Sequence, residues 1–436
     1  MLFKPNSKYT KTLDYVALLI SIYFPPEPGG GSGAAWNRAY ILHKSGFSVF
    51  VITGFPTYPT GKVSDPKYKR KFFYVEKIEP FTLIRLRLMS LEYEGYLKRL
   101  IIFLNFIFLC VLYMPRIVRI VGKINIVYSM APQIFSSFGG YVYSKVTGAF
   151  FVYEASDLWP DMLIVFRTKL MPVIMIVGRI IARLCYMTPD IIIAIGDLAA
   201  DHIYKTYRPH SPVYALPIGV DPARFQPFPK YVSREELIKG QILPSELEEK
   251  FIILYMGVIS NATQLESLAY AAEKLKRLDK EKEIAILIIG EGDAKEKLQQ
   301  LKVQFNLDNF YLLPFQDRDI VPKIISCADA CVVSLPSAKI FEVNVPTKFY
   351  EYIACGKPLI GICGGEPEKI INSYNIGLTV RPTDIDGLVE IISDFKNSPS
   401  MLQTIEQNSR IALERFSLDN LASDFASILK SKNVIR

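Results

Sequence analysis

Apolar runs of strand length alternate with stretches of helical length along most of the chain. In the first half the runs are 16–24 (VALLISIYF), 47–53 (FSVFVIT), 124–129 (INIVYS), 149–154 (AFFVYE) and 190–196 (DIIIAIG). Glycines follow the first run, and a helix is expected at about 34–44. The second half repeats the pattern at 251–257, 283–290, 309–314, 329–335, 357–363 and 376–380. Continuous apolar strands separated by helices predict parallel sheets covered on both faces. Between the two series, 217–246 is rich in proline and then in charge, as linkers are. The pattern predicts a first domain at 1–228 and a second at 229–415. A last helix, with no strand after it, would return to the first domain from 416–436. The fold class expected is α/β, with two facing, doubly wound, Rossmann-like domains. Open sheets of this kind bind ligands at the carboxyl ends of their strands. Two of them facing one another would form a cleft able to join two substrates.

With 436 residues, half of them hydrophobic and 22% charged, the chain has ample apolar content for packed cores and is not a disordered sequence. Six cysteines without a CxxC read as buried thiols in a reducing compartment. Three histidines and no HExxH argue against a metal site built on histidine. The charge of +8 is concentrated: 67–123 holds twelve Lys/Arg against four acids, equal to the whole surplus. Inside it lies LIIFLNFIFLCVLYM (100–114), short of the ~20 residues that span a bilayer. A second apolar run, 162–187, is interrupted by Arg167, Lys169, Pro172, Arg179 and Arg183. Both suit basic, apolar helices lying on an anionic membrane surface. The alternative is core helices with a solvated basic face. The start of the chain shows no apolar leader segment, so no signal peptide is expected. No nucleic-acid module is recognisable.

Candidate chemistry clusters after strand ends. PPEPGGGSG (25–33) carries Gly29, Gly30, Gly31 and Gly33 ahead of a helix whose amides would favour an anion. Gly29-x-Gly31-x-x-Ala34 imitates a dinucleotide fingerprint, but the next strand ends Ile52-Thr53-Gly54-Phe55 without the acid that would hold a ribose. A phosphate or sugar contact, or a tight turn, fits better. YEASDLWPD (153–161) places Glu154, Asp157, Trp159 and Asp161 together, which offers carboxylates for sugar hydroxyls and a flat ring for the sugar face. Asp157 could instead cap a helix. In GEGDAKEKLQ (290–299), Gly290 and Gly292 are divided between ligand approach and turn geometry, and Asp293 is expected to cap. VPTKFYEYIACGKPLIG (345–361) is the most informative stretch. Pro346 suits a first helical turn, which puts Lys348 at the positive helix end, a misfit unless an anion compensates. Glu351 shares its face. A diphosphate on Lys348 and the amides, with ribose hydroxyls on Glu351, satisfies all these groups; the alternative is a Lys348–Glu351 surface pair. Asp384-x-Asp386 reads as a cap rather than a metal site, and Cys327 and Cys331 read as core.

On these residues the chain resembles the glycosyltransferases of family 4, which have the GT-B architecture. The likeness rests on PPEPGGGSG with Arg38, SDLWP, IGVDPARF (218–225), GEGDAKEKL and PTKFYEYIACGKPLIG. SDLWP is similar to the subgroup that builds lipid-linked polysaccharides. The resemblance implies a retaining, metal-independent transfer of a hexosyl or N-acetylhexosaminyl group from a nucleotide-diphosphate sugar, with no cofactor. It implies a polyprenyl-linked saccharide acceptor at the inner face of the cell membrane, reached through 67–123, by a cytoplasmic, peripheral protein. The donor contacts implied are Gly30, Gly31, Gly257, Gly290, Gly292, Leu313, Pro314, Phe315, Glu342, Lys348 and Glu351. The acceptor contacts implied are Arg38, Glu154, Asp157 and Trp159, and Asp157, Lys348 and Glu351 would carry the chemistry. Three positions depart from the family pattern. Val343 stands where many members have the first of two glutamates, with Glu342 beside it. The loop 257–264 lacks the usual cations, which shifts phosphate charge to Lys348, helix amides and Arg38. Ile218 replaces an asparagine. A nucleotide-sugar epimerase of the same architecture and a catalytically inactive partner subunit are the alternatives.

Overall fold

The computed structural model describes residues 15–435 apart from 28, 58–60, 64, 92–95, 131–134, 166–170, 279–282 and 337. The chain forms two units, 1–218 with 418–436, and 219–417.

In chain order unit 1 contains β1 (Tyr15–Ile20), α1 (Gly30–Lys44), β2 (Phe47–Gly54), β3 (Phe73–Ile78), β4 (Phe81–Leu86), α2 (Tyr96–Leu112) and α3 (Met114–Val121). It continues with β5 (Ile126–Met130), α4 (Phe135–Thr147), β6 (Phe150–Ala155), α5 (Met171–Tyr186), β7 (Ile191–Ala194), α6 (Asp197–Tyr207) and β8 (Val213–Ala215). The sheet order is β3-β4-β2-β1-β5-β6-β7-β8. Only the β3–β4 pair is antiparallel. Strands such as β1, whose residues 16–20 are fully buried, need the unbroken apolar runs seen in the sequence. The direction of winding reverses at β1, between β2 and β5.

The β3–β4 hairpin lies inside the basic segment, ahead of the apolar run 100–114, and was not foreseen as strand. Its strands mix apolar residues with Glu76 and Arg85, which read as surface in the sequence. In the fold both are buried and paired, and Arg85 also donates to the Gly54 carbonyl at 3.1 Å. Short β8 was equally hidden, since three residues carry almost no periodic signal.

Unit 2 contains α7 (Lys230–Lys239), β9 (Phe251–Met256), α8 (Glu266–Leu278), β10 (Ile284–Ile289), α9 (Lys295–Gln304), β11 (Phe310–Leu313) and α10 (Val321–Cys327). It continues with β12 (Ala330–Ser334), α11 (Thr347–Ala354), β13 (Leu359–Ile362), α12 (Glu366–Tyr374), β14 (Gly377–Val380), α13 (Ile385–Asn397) and α14 (Pro399–Phe416). Its six strands are all parallel in the order β11-β10-β9-β12-β13-β14. The switch point lies between β9 and β12, where a ligand crevice is expected at the carboxyl ends. Cys327 and Cys331 are buried in this unit, and burial pushes the Cys327 thiol up to about 12.

The unit boundary falls earlier than the expected 228/229. The presumed linker is folded: Val220 bridges to Ser417, and Arg234 of α7 donates to the Cys327 carbonyl at 2.9 Å and to Asp329 at 2.7 Å. Its charges are therefore internal ties of unit 2. The last helix, α15 (Leu418–Ser431), lies in unit 1, where the Ser45 hydroxyl donates to the Ala422 carbonyl at 3.0 Å and Phe425 meets Tyr128 edge-on.

Candidate functional site

The carboxyl ends of β9 and β12 bring the principal residues of unit 2 together. Gly257 leaves β9 with φ +139°, a conformation that favours glycine. Pro346 is the N-cap of α11, with extended backbone and no side-chain cap, so the first amides of α11 lack a capping side chain. Lys348, two residues on, lays its Nζ 3.7 Å from the centroid of the Tyr255 ring. A Cβ on Gly257 would come within 2.6 Å of that Nζ. Lys348 therefore folds down over the end of β9, and among the described residues it has no carboxylate partner. The cation–π contact offsets part of the cost of a cation at a positive helix end.

Glu351 lies one turn along, with 13% of its side chain exposed, and accepts from Arg318 Nη2 at 3.1 Å. The Lys348–Glu351 surface pair does not form. Burial raises the Glu351 carboxyl above its usual range, against the pull of Arg318, Lys348 and Arg224. Arg318 and Arg224 were not singled out as site residues. The available signal was a cation in the turn after the third strand of this unit and one within IGVDPARF.

Gly290 and Gly292 serve the fold of the neighbouring loop. A Cβ at Gly290 would lie 1.9 Å from the Gly257 carbonyl oxygen, and one at Gly292 would lie 2.0 Å from that of Ile259. Of the two expected roles, turn geometry is the one this packing requires: the two glycines let the 257–259 backbone run close beside the end of β10. Gly290→Ala should lower the unfolding midpoint by several degrees, through a clash costing ~2–4 kcal/mol; an unchanged thermal melt would contradict this close approach. Asp293 is no cap, since Ala294 holds the N-cap position of α9. Asp384 does cap α13, accepting from Gly387 at 2.8 Å. Leu313 ends β11, and Pro314 and Phe315 beyond it are exposed, Phe315 by 49%. Val343 is buried, whereas the Glu342 carboxylate approaches the Gly364–Gly365 turn near Arg381.

In unit 1, Gly29 adopts φ +114° as the N-cap of α1, which starts at Gly30. A Cβ at Gly31 would make only an ordinary contact, 3.5 Å from Tyr23. The three carboxylates in and after the end of β6 have three different environments. Glu154 is fully buried and takes Arg38 Nε at 2.6 Å and Nη2 at 3.1 Å, with the Tyr128 hydroxyl. Arg38 also donates to the Leu216 carbonyl at 3.2 Å. Arg38 and Glu154 are thus internal braces rather than acceptor contacts, because neither presents a charged surface. Asp161 accepts from Arg179, His202 and Tyr207, and is pulled down to about 2. Asp157 has no ion-pair or hydrogen-bond partner for its carboxylate among the described residues, caps nothing there, and is raised to about 6 by desolvation. It stays partly open to solvent, as does Trp159.

Residues 242–412 match the family described as glycosyl transferases group 1. The chain is 25% identical over 145 residues to WcaI of Escherichia coli (strain K12), a protein assigned to colanic acid biosynthesis as a glycosyl transferase; the match covers 33% of this chain and 34% of WcaI. It is 23% identical to WcaL of the same strain, assigned likewise, over 56% of this chain and 57% of WcaL. The chain thus spans between a third and somewhat over half of the length of these relatives. Among solved structures, sucrose-phosphate synthase from Thermosynechococcus elongatus superposes with TM-score 0.73 at 18% identity, covering 96% of this chain and 98% of that one. Anabaena Alr3699/HepE, solved with UDP-glucose, gives TM-score 0.66 at 14% identity, covering 96% and 100%. At such identities these likenesses show the shared fold. With Lys348 and Glu351 on the helix at the switch point of its second sheet, unit 2 carries the match to the group 1 glycosyl transferases, and the chain has the two Rossmann-like units of the GT-B fold.

Proposed function

We propose that the protein is a retaining, metal-independent glycosyltransferase that moves a hexosyl or N-acetylhexosaminyl group from a nucleoside-diphosphate sugar to a polyprenyl-linked saccharide at an anionic membrane surface. The observation that carries this reading is Lys348: a cation without a carboxylate ion-pair partner among the described residues, set on a helix start without a side-chain cap at the switch point of a parallel sheet. A diphosphate supplies the charge that this arrangement lacks. Glu351 would accept ribose hydroxyls. As the bond from the anomeric carbon to the diphosphate breaks, negative charge grows on the leaving oxygen, and Lys348 with the α11 amides would stabilise it. Asp157 would accept a hydrogen bond from the acceptor hydroxyl, and Trp159 would offer its ring to the sugar face. HepE solved with UDP-glucose and the assignment of WcaI and WcaL to a polysaccharide pathway support this reading of donor and product.

The membrane element of the proposal rests on unit 1. α4 lies against both α2 and α5. α2 buries Ile102, Phe103, Phe106, Ile107 and Cys110, yet exposes Leu104, Phe108 and Leu112. α5 exposes Val173, Ile176, Val177, Ile180 and Leu184, and α4 exposes Phe138. Arg99, Arg116, Arg119, Arg179 and Arg183 are exposed on the same helices and on α3. Among the described residues no single helix is long and apolar enough to cross a membrane; residues 98–112 and α3 form a pair bent by 61°. An apolar stripe beside arginines fits an anionic lipid interface. Because the hairpin occupies 73–86, the proposed contact narrows from 67–123 to α2, α3 and α5.

In flotation with phosphatidylglycerol vesicles, the wild type should rise with the lipid, and the Ile176→Asp/Ile180→Asp double variant should lose most of that binding while keeping its circular dichroism. Equal flotation of the two would refute this surface. Radiolabelled transfer from a panel of nucleotide sugars into extracted lipid tests the reaction. Label released to water, or an epimerised donor without transfer, would overturn it.

A further inference from the structure

The loop after β9, residues 257–264, contains no Lys or Arg. The carboxyl end of the sheet in unit 2 is nevertheless rich in positive charge. Arg318, in the turn between β11 and α10, donates to Glu351 at 3.1 Å, and its guanidinium carbon lies 5.9 Å from the Phe225 ring centroid. Arg224, from the segment before α7, reaches Asp319 at 3.3 Å. Burial and the nearby Arg318 both lower the Arg224 pKa, and Glu351 opposes them. Lys348, Arg318 and Arg224 all act on the one Glu351 carboxylate. Two further acids act on Arg224: Asp319, with 95% of its side chain in water, where its charge is screened, and Asp221, whose carboxylate accepts from the Ala223 amide at 2.9 Å. Arg224 and Arg318 are about two-thirds covered, with 33% and 36% exposure.

Of the three acids near these three partly desolvated cations, Glu351 alone is well buried, and bringing two arginines together costs stability. Holding Glu351 in place needs one cation, Arg318, whereas Arg224 reaches a carboxylate whose charge water screens. An anion of two or three charges accounts for both, and guanidinium groups suit phosphate oxygens in particular.

We infer that Arg318 and Arg224, from two segments outside the loop after β9, are ligands for the donor diphosphate and supply the charge which that loop lacks. The inference rests on the reading of Lys348 and Glu351 as the donor site.

The test is calorimetric titration of the full chain with inorganic pyrophosphate, with UDP, GDP, ADP and dTDP, and with the nucleoside of whichever diphosphate binds. Arg318→Gln should weaken pyrophosphate and the diphosphate about tenfold, and Arg224→Gln at least about threefold, with nucleoside affinity unchanged. Glu351→Gln, which frees Arg318, should hold pyrophosphate at least as tightly and weaken the nucleoside. Thermal melts confirm that each variant is folded. Unchanged pyrophosphate binding in both arginine variants, or equal losses for nucleoside and diphosphate, overturns the inference while leaving the donor site standing. A wild type that binds neither pyrophosphate nor any of the diphosphates overturns the donor reading itself, and the inference with it.

Discussion

Replacing Lys348 by alanine should reduce sugar transfer by about two to three orders of magnitude, the cost typical of removing one preorganised donor to a developing negative charge. Affinity for the nucleoside diphosphate should fall too, since the ammonium interacts with bound donor and leaving group alike. The same substitution should leave the unfolding midpoint unchanged or slightly higher. Lys348 sits at a positive helix end without an ion-pair partner among the described residues, and the Tyr255 ring and the field of nearby Glu351 compensate it in part. Lost activity with retained stability separates a functional lysine from a structural one. Undiminished turnover with unchanged donor affinity would exclude Lys348 from the reaction.

Asp157→Asn should stabilise the protein above neutral pH and disable it. In the unfolded chain this carboxyl ionises near ~3.9; in the fold it is raised to about 6 by desolvation alone. The folded state therefore binds the proton more tightly. Its contribution to stability is fully present below ~3.9 and is lost as pH rises through 6. Allowing for its partial exposure, the ionised group costs roughly 2 kcal/mol at pH 8. The melting curves of wild type and Asp157→Asn should coincide near pH 4 and separate through pH 6, the variant melting several degrees higher at pH 8. Transfer by the variant should fall by about 100-fold, as for loss of a positioned acceptor group. Identical pH–stability profiles would show that the carboxylate is not strained, and full activity would remove it from the reaction.

The sequence was a good guide to the interior and a poorer one to polar residues. Each apolar run of strand length named above became a strand, because a central parallel strand must be apolar on both faces. Lys348 and Glu351 were legible because a lysine in a first helical turn contradicts the helix dipole, and that contradiction is local. Arg38 and Glu154 misled because a charged side chain beside a strand end reads the same whether it meets a ligand or a buried partner 116 residues away. Arg318 and Arg224 were hidden for the converse reason. They are remote from α11 in the chain, and only the fold brings them to Glu351. Gly290 shows a third limit, since its need for a bare Cα comes from the Gly257 carbonyl on the next strand.

The central claim is that the start of α11 in unit 2 grips the diphosphate of an activated sugar. A crystal structure of the protein with a bound nucleoside diphosphate tests it most directly. The account predicts phosphate oxygens within hydrogen-bonding distance of Lys348 Nζ and the first amides of α11, with the ribose on Glu351. A nucleotide seated elsewhere, with Lys348 still lying on the Tyr255 ring, would contradict it.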